Sequence, residues 1–403
     1  MLVVTGILAS AGTAPGTSHR YLSALPGSGV AYGATAHGDP SFFPIGVWFE
    51  GNPDWGGYPG DPAGARRYYD RCFADLAAHG FNAAAVPNCP ESLWETLLQS
   101  ARAHRIKIVL EIAPLVRLVS QSEPLSESEA YAAVKRVVAK IGRYDSLLRY
   151  QIRDEPPPET MPNWLLVRRV LAAVDPTRPA FSCFNNPDSL ARAVEADHLS
   201  EAVFDIYPQG VGTPSQSLGG FLPALDAFTS AAKGIPAWAV LQSFAKPGAW
   251  RYPSPEELRA VTYLSLAAGG KGIFYFLYQT MPNHPEQLEG LIDRDGRPTQ
   301  MYAPAAALAR EMGKLSPLLT SFKPTAPPSQ VVGDARVGSF VDAGGHAVLV
   351  VASTRPDAPV TARVSVDATA AWKDRLTGEV LVPTNGALMV PLAPGAGRVL
   401  VRR

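Results

Sequence analysis

The stretch Pro44-Ile45-Gly46-Val47-Trp48-Phe49-Glu50-Gly51-Asn52 decides the fold of this chain. Its branched and aromatic residues read as a short strand that stops at a carboxylate and a glycine. A doubly wound open sheet built for a dinucleotide would carry Gly-x-Gly-x-x-Gly at this turn. Trp48-Phe49-Glu50-Gly51-Asn52 stands there instead, which makes the open sheet the weaker α/β reading.

Seven similar runs follow, starting near Phe81 (FNAAAV), Ile106 (IKIVLEI), Leu147 (LLRYQI), Ala180 (AFSCF), Ala202 (AVFDI), Pro236 (PAWAVL) and Gly272 (GIFYFL). Amphipathic helical stretches lie between them. Two have legible starts: Ser126 with Glu129 forms a capping box, and Ser254, Pro255 and Glu257 form another with proline at the first helical position. Eight strands alternating with helices over roughly 270 residues predict an α/β fold, a (β/α)8 TIM barrel, which we place at residues 41–317. Gly269-Gly270-Lys271-Gly272 enters the eighth strand rather than leaving it and lacks phosphate-loop spacing, so it reads as a turn.

The texture changes after Ser316-Pro317. HAVLVVAST, TARVSV, EVLVP, ALMVPL and RVLVRR are strand-like runs joined by Gly, Asn, Asp and Pro turns. They predict a small all-β C-terminal domain, a sandwich, over residues 325–403. Residues 1–40 read as a leader or loose N-terminal arm. Leu2 to Leu8 before Ala9-Ser10-Ala11 has the form of a secretory h-region and cleavage site, although a basic n-region is missing. The expectation is a secreted or periplasmic protein, with the cytoplasm as the alternative.

Composition narrows the partners. Among 403 residues, Lys+Arg and Asp+Glu both total 36, and only 18% are charged against a usual figure of about 25%. That balance argues against nucleic-acid and membrane-surface partners, which need a basic excess. No apolar run approaches the roughly 18 residues of a membrane span. Cys72, Cys89 and Cys183 have neither disulfide-framework nor zinc spacing and read as core thiols. The 38 prolines and 35 glycines point to long structured loops, where sites are often built.

A barrel enzyme works at the C-terminal ends of its strands. In chain order those ends carry Glu50, Asn88, Glu111, Asp154-Glu155, Asn185-Asn186, Asp205 with Tyr207, Gln242, and Tyr275 with Tyr278 and Gln279. No strand end offers a histidine, so neither a metal-ligand pair nor a Ser-His-Asp or Cys-His arrangement is expected, and no cofactor is implied. The same ends lack lysine, which demotes a lyase or isomerase. Carboxylates, amides and aromatic faces suit a sugar: carboxylates move protons and stabilise an oxocarbenium-like centre, amides bond hydroxyls, and aromatic rings cover the apolar faces of pyranoses. Trp48, Trp55, Tyr58, Tyr207, Trp250 and Tyr252 are candidates for that last role.

Tyr150-Gln151-Ile152-Arg153-Asp154-Glu155-Pro156 resembles the fourth strand of the clan A glycoside hydrolases, the barrel group that includes the family 42 β-galactosidases. GVWFEGNP, FDIYP, WAVLQSF, LIDRDGRPTQMY and the C-terminal β-domain are similar to that group as well. The resemblance implies that Glu155 is the general acid/base and that Asp154 orients substrate or tunes Glu155, since adjacent carboxylates raise one another's pKa. The competing reading of Glu155 is an ion pair with Arg153 or Arg149. Adjacent strand residues face opposite ways, so Asp154 would point to the helices unless the strand has already ended.

Strand seven departs from the family, which places its nucleophilic glutamate where this chain has Gln242. Three accounts stay open. Asp205 or Glu111 supplies the second carboxylate, as nucleophile at about 5 Å from Glu155 or as base at about 6.5 to 9.5 Å. Alternatively, a substrate acetamido group assists, or the site binds sugar without cleaving it. The expected function is a glycoside hydrolase acting on an oligosaccharide, polysaccharide or glycoside; the alternative is a non-catalytic carbohydrate-binding protein on a degenerate glycosidase barrel. Expected substrate-binding residues are Trp48, Glu50, Asn88, Asn185, Tyr207, Gln242, Trp250 and Tyr275. Glu256 and Glu257 read as charges at a helix N-terminus.

Overall fold

The computed structural model describes residues 41–403 apart from 198 and 281–285; the expected leader lies outside the described residues. The barrel strands are β1 (Ile45–Trp48), β2 (Ala83–Val86), β3 (Lys107–Glu111), β4 (Leu147–Gln151), β5 (Ala180–Phe181), β6 (Cys183–Phe184), β7 (Ala202–Ile206), β8 (Ala237–Gln242) and β9 (Gly270–Phe276). All pair in parallel, in the order β5-β4-β3-β2-β1-β9-β8-β7-β6. The predicted fifth strand is interrupted at Ser182. Its first half pairs with β4 and its second with β7, so two adjacent segments of one run close the ring. This is the expected eight-stranded barrel.

The helices are α1 (Pro62–Ala78), α2 (Trp94–Ala103), α3 (Ala113–Val119), α4 (Glu127–Ile141), α5 (Met161–Val174), α6 (Pro187–Ala196), α7 (Phe221–Ala231), α8 (Pro255–Ala267) and α9 (Tyr302–Leu319). Both predicted capping boxes form, at Ser126/Glu129 and Ser254/Glu257. Because both faces of a barrel strand are covered, its apolar residues divide by alternation. Trp48, Ala85, Val109, Phe181, Trp238 and Phe274 fill the interior, while Val47, Phe49, Leu110, Tyr150 and Tyr275 pack outward with the helices. The Gly269 turn has φ +92°, a conformation that favours glycine. Lys271 beside it donates to the carbonyls of Leu319 and Phe322 at 2.7 and 2.5 Å, closing the end of α9 rather than binding phosphate. Among the described residues, no helix is long and apolar enough to cross a membrane.

The C-terminal region forms β10 (Lys323–Pro324), β11 (Val331–Val332), β12 (Ala335–Val341), β13 (Ala347–Ser353), β14 (Val360–Ser365), β15 (Trp372–Asp374), β16 (Val380–Leu381), β17 (Ala387–Leu392) and β18 (Gly397–Arg402). Six of these make one sheet and β11-β14-β17 a second. Leu349, Val351, Val364, Trp372, Leu388 and Val390 belong to one buried cluster shared by the two sheets. The alternate residues of β13, Val348 and Val350, join the barrel's core cluster. Gly397 allows that approach, since a Cβ there would fall 2.2 Å from the ring of Tyr263 in α8. β12 was missed because Gly338 and Ser339 break its apolar alternation.

Candidate functional site

Strand β4 ends at Gln151, and the chain bends at the Asp154-Glu155 pair. Alternation therefore no longer applies, and Asp154 belongs to the mouth rather than to the helical layer. Glu155 has φ +44°, in the left-handed region where a non-glycine residue is uncommon and strained. Its N–H donates to the carbonyl of Cys183 at 2.9 Å, which fixes the turn. Arg149 is no partner for Glu155: it forms a buried pair with Glu201 at 2.7 Å.

Asp205 lies inside β7, and alternation with Val203 aims it into the barrel. The Cys183 thiol donates to its Oδ1 at 3.7 Å, and Tyr207 also hydrogen-bonds to its carboxylate. Cys183 is thus more than the core thiol expected from sequence. It links the strand-end turn of Glu155 to Asp205.

Electrostatics tie these groups together. Burial and the negative charge of Glu155 push Asp205 up to about 8, with the Cys183 and Tyr207 hydrogen bonds pulling the other way. Asp154 is held well above the ordinary carboxylate range, first by burial and then by Glu155, Asp205 and Glu111. Glu155 is raised by burial, against which the Arg153 guanidinium acts, and Glu286 raises it further. Arg153 was expected only as an ion-pair partner of Glu155, and Glu286 was not foreseen at the site. The signal for Arg153 was its place in the same strand-end turn, whereas Glu286 comes from a loop with no pattern to mark it.

A second pair of carboxylates stands beside the first. Asn88, with φ +56°, donates from its side chain to Glu50 Oε2 at 3.0 Å, and its backbone N–H approaches Glu111 Oε1 at 3.4 Å. Burial pushes Glu50 up to about 8 despite the Asn88 bond, and Glu111 is raised for the same reason. Four of the predicted strand ends therefore contribute carboxylates that feel one another.

Aromatic residues lie beside this group. Phe276 packs against Trp48 at 5.9 Å, Tyr207 at 5.4 Å and Phe244 at 5.3 Å between ring centres, and Phe244 contacts Trp250 at 5.7 Å. Trp48 is almost wholly buried, so the half-exposed Tyr207 and Trp250 are the rings open to a ligand. Asn185 is exposed, next to Asn186, whose side chain caps α6.

Two expected contacts are absent. Tyr275 points outward, its hydroxyl 3.1 Å from that of Thr262 in α8, because alternation in β9 turns Phe274 and Phe276 inward instead. Gln242 is 2% exposed, and its amide is engaged with backbone: Oε1 accepts from Gln209 N–H at 2.8 Å, and Nε2 donates to the carbonyl of Arg251 at 3.0 Å. Gln242 thereby joins the loops after β7 and β8. Arg251 reinforces this joint through Gln209 and the fully buried Glu257. Glu257 is accordingly both a capping residue and an ion-pair partner.

Among the described residues, no group of three or more His, Cys, Asp or Glu is arranged to hold a metal ion. What the mouth can do is proton transfer and hydroxyl recognition: coupled, partly dehydrated carboxylates titrate away from their usual range and can carry protons near neutral pH.

No protein-family model and no curated protein matches this sequence. Solved structures do. A glycoside hydrolase family 5 protein from Bacteroides vulgatus aligns over 84% of this chain and 86% of its own, with 13% identity and a TM-score of 0.56. An Anoxybacillus α-amylase aligns over 91% and 97%, with 10% identity and a TM-score of 0.56. The β-galactosidase of Marinomonas ef1 aligns over 70% of this chain with 12% identity and a TM-score of 0.54, and the chain spans 62% of that protein's length. At such identities the likeness establishes the barrel fold and leaves the chemistry to the site.

Proposed function

We propose that this protein is a glycoside hydrolase in which Glu155 and Asp205 are the working carboxylates. The observation that carries the reading is their coupling across Cys183 at the C-terminal mouth of the barrel. Two buried carboxylates that repel one another hold a proton between them at neutral pH, so an acid and a base are available together. In the reacting protonation state the proton that rests on Asp205 has passed to Glu155, which, at the turn, donates it to the departing glycosidic oxygen and leaves Asp205 ionised. As the C–O bond breaks, Asp205 in its ionised form faces the oxocarbenium-like centre as the second carboxylate. Arg153 favours the ionised state of Glu155 and so helps it take a proton back in the closing half of the cycle.

The substrate class is an oligosaccharide, polysaccharide or glycoside. Tyr207 and Trp250 would cover a sugar face, and Asn88, Glu50 and Asn185 would bond hydroxyls. The likeness to glycosidase barrels supports this assignment through the fold, and the resemblance to family 42 rests on the strand-end motifs. A screen of aryl glycosides and polysaccharides tests it: wild type releases product from at least one, and Glu155→Gln abolishes that release. The anomer first formed, followed by NMR, separates retention from inversion.

One observation favours a second reading. Gln242 occupies the place of the clan A nucleophile and is bonded to backbone, so the mouth could bind a glycan without cleaving it. Wild type that binds a glycan as tightly as Glu155→Gln, and releases nothing from it, would support that reading.

A further inference from the structure

A cavity of about 360 Å³ lies outside the barrel mouth, between α1 and the connection from β9 to α9. Buried Tyr68, Cys72, Tyr278 and Gln279 line it together with the more accessible Tyr58 and Arg71. Part of its wall is the turn Asp293-Arg294-Asp295-Gly296, which belongs to the LIDRDGRPTQMY segment that the mouth does not use. The turn is held in place, since Asp293 Oδ1 accepts the N–H groups of Asp295 and Arg297 at 2.9 and 2.8 Å.

The wall chemistry is that of a sugar site. Tyr58 and Tyr68 stand with ring centres 5.0 Å apart, offering aromatic surface. The Arg71 guanidinium donates to the Tyr58 hydroxyl at 2.7 Å and retains further N–H donors. Gln279 is 3% exposed; its Nε2 donates to Tyr68 Oη at 2.5 Å and to the Glu50 carbonyl at 3.1 Å, while its buried Oε1 has no hydrogen-bond partner. Aromatic rings, a tyrosine hydroxyl and the fixed Arg71 guanidinium match a ring that carries hydroxyls. The volume is at the small end of the roughly 300–1,000 Å³ of ligand pockets, which selects a short sugar over a long chain.

We propose that this cavity is an accessory binding site for a neutral mono- or disaccharide, separate from the catalytic mouth and joined to it through the backbone of Trp48 and Glu50. The proposal does not depend on turnover. Isothermal titration with galactose, glucose, lactose and cellobiose, each raised to about 50 mM, is carried out on Glu155→Gln and on the same protein bearing Tyr58→Ala or Arg71→Ala. Both added substitutions are on accessible side chains, and thermal melts within about 3 °C of the parent confirm folding.

The expected result is binding of at least one sugar to Glu155→Gln, with that component weakened tenfold or more by either added change. Arg71→Ala in the otherwise wild-type chain should leave kcat on any cleaved aryl glycoside unaltered. Binding that is unchanged by both added substitutions, or no binding of any of the four sugars, would overturn the accessory site. Absence of aryl-glycoside cleavage would instead count against the mouth alone.

Discussion

The sulfur of Cys183 lies 3.7 Å from Oδ1 of Asp205, while the carbonyl of the same cysteine accepts the N–H of Glu155 at 2.9 Å. One residue therefore positions both proposed catalytic carboxylates. Cys183→Ala removes a donor from Asp205, and losing a bond to the charged form raises a carboxyl pKa. The limb of the kcat/KM profile that requires ionised Asp205 should move up by about half a pH unit or more. An unmoved profile would separate Cys183 from the chemistry.

Stability should fall as pH rises. Glu50 and Asp205 are each raised to about 8 in the folded protein, whereas an unfolded carboxyl titrates near 4. Between those values the native state binds more protons than the unfolded one, so each group lowers the unfolding free energy as pH rises through that window. Urea midpoints measured from pH 5 to 8 should decline. Glu50→Gln, which cannot titrate and retains an acceptor for Asn88, should flatten the decline.

Placing at strand seven the glutamate that the resembling clan A glycosidases carry should fail. In Gln242→Glu the donor facing the Arg251 carbonyl becomes a carboxylate oxygen, so two acceptors oppose one another in a buried place. A loss of about 2–4 kcal/mol in chemical denaturation is expected, with no gain in glycosidase rate. A stable and faster enzyme would show that the position is catalytic and only lacks its carboxylate.

The joint beside it should be sensitive as well. Glu257 has no side-chain exposure and accepts from Arg251 at 2.7 Å and from the backbone of Ser217 at 2.8 Å. Arg251→Ala leaves that carboxylate buried without its cation, at a cost of about 3–5 kcal/mol. If the joint also positions the loops, KM should rise more than kcat falls for a cleaved glycoside.

Much of this was legible because a barrel writes its site at strand ends. Glu50, Glu111, Glu155 and Asp205 were found by asking where each apolar run stops, and all four feel a neighbouring carboxylate or its bridging residue. Tyr275 failed because it is one residue short of the end of β9, where alternation reverses direction. Gln242 faces the right way, yet its partners are 33 and 9 residues distant, on loops whose course no local pattern records. Asp154 required knowledge of where β4 stops, and strand boundaries are weakly marked in sequence. The Tyr58 and Arg71 cavity depends on α1 meeting the loop before α9, a tertiary contact with no periodic signature.

The most direct test is the rate of product release from a cleavable aryl glycoside by wild type and by Glu155→Gln, measured alongside glycan binding. The account predicts a fall in kcat/KM of about a thousandfold or more with binding retained, as expected for a lost proton donor. Undiminished turnover by Glu155→Gln would contradict it.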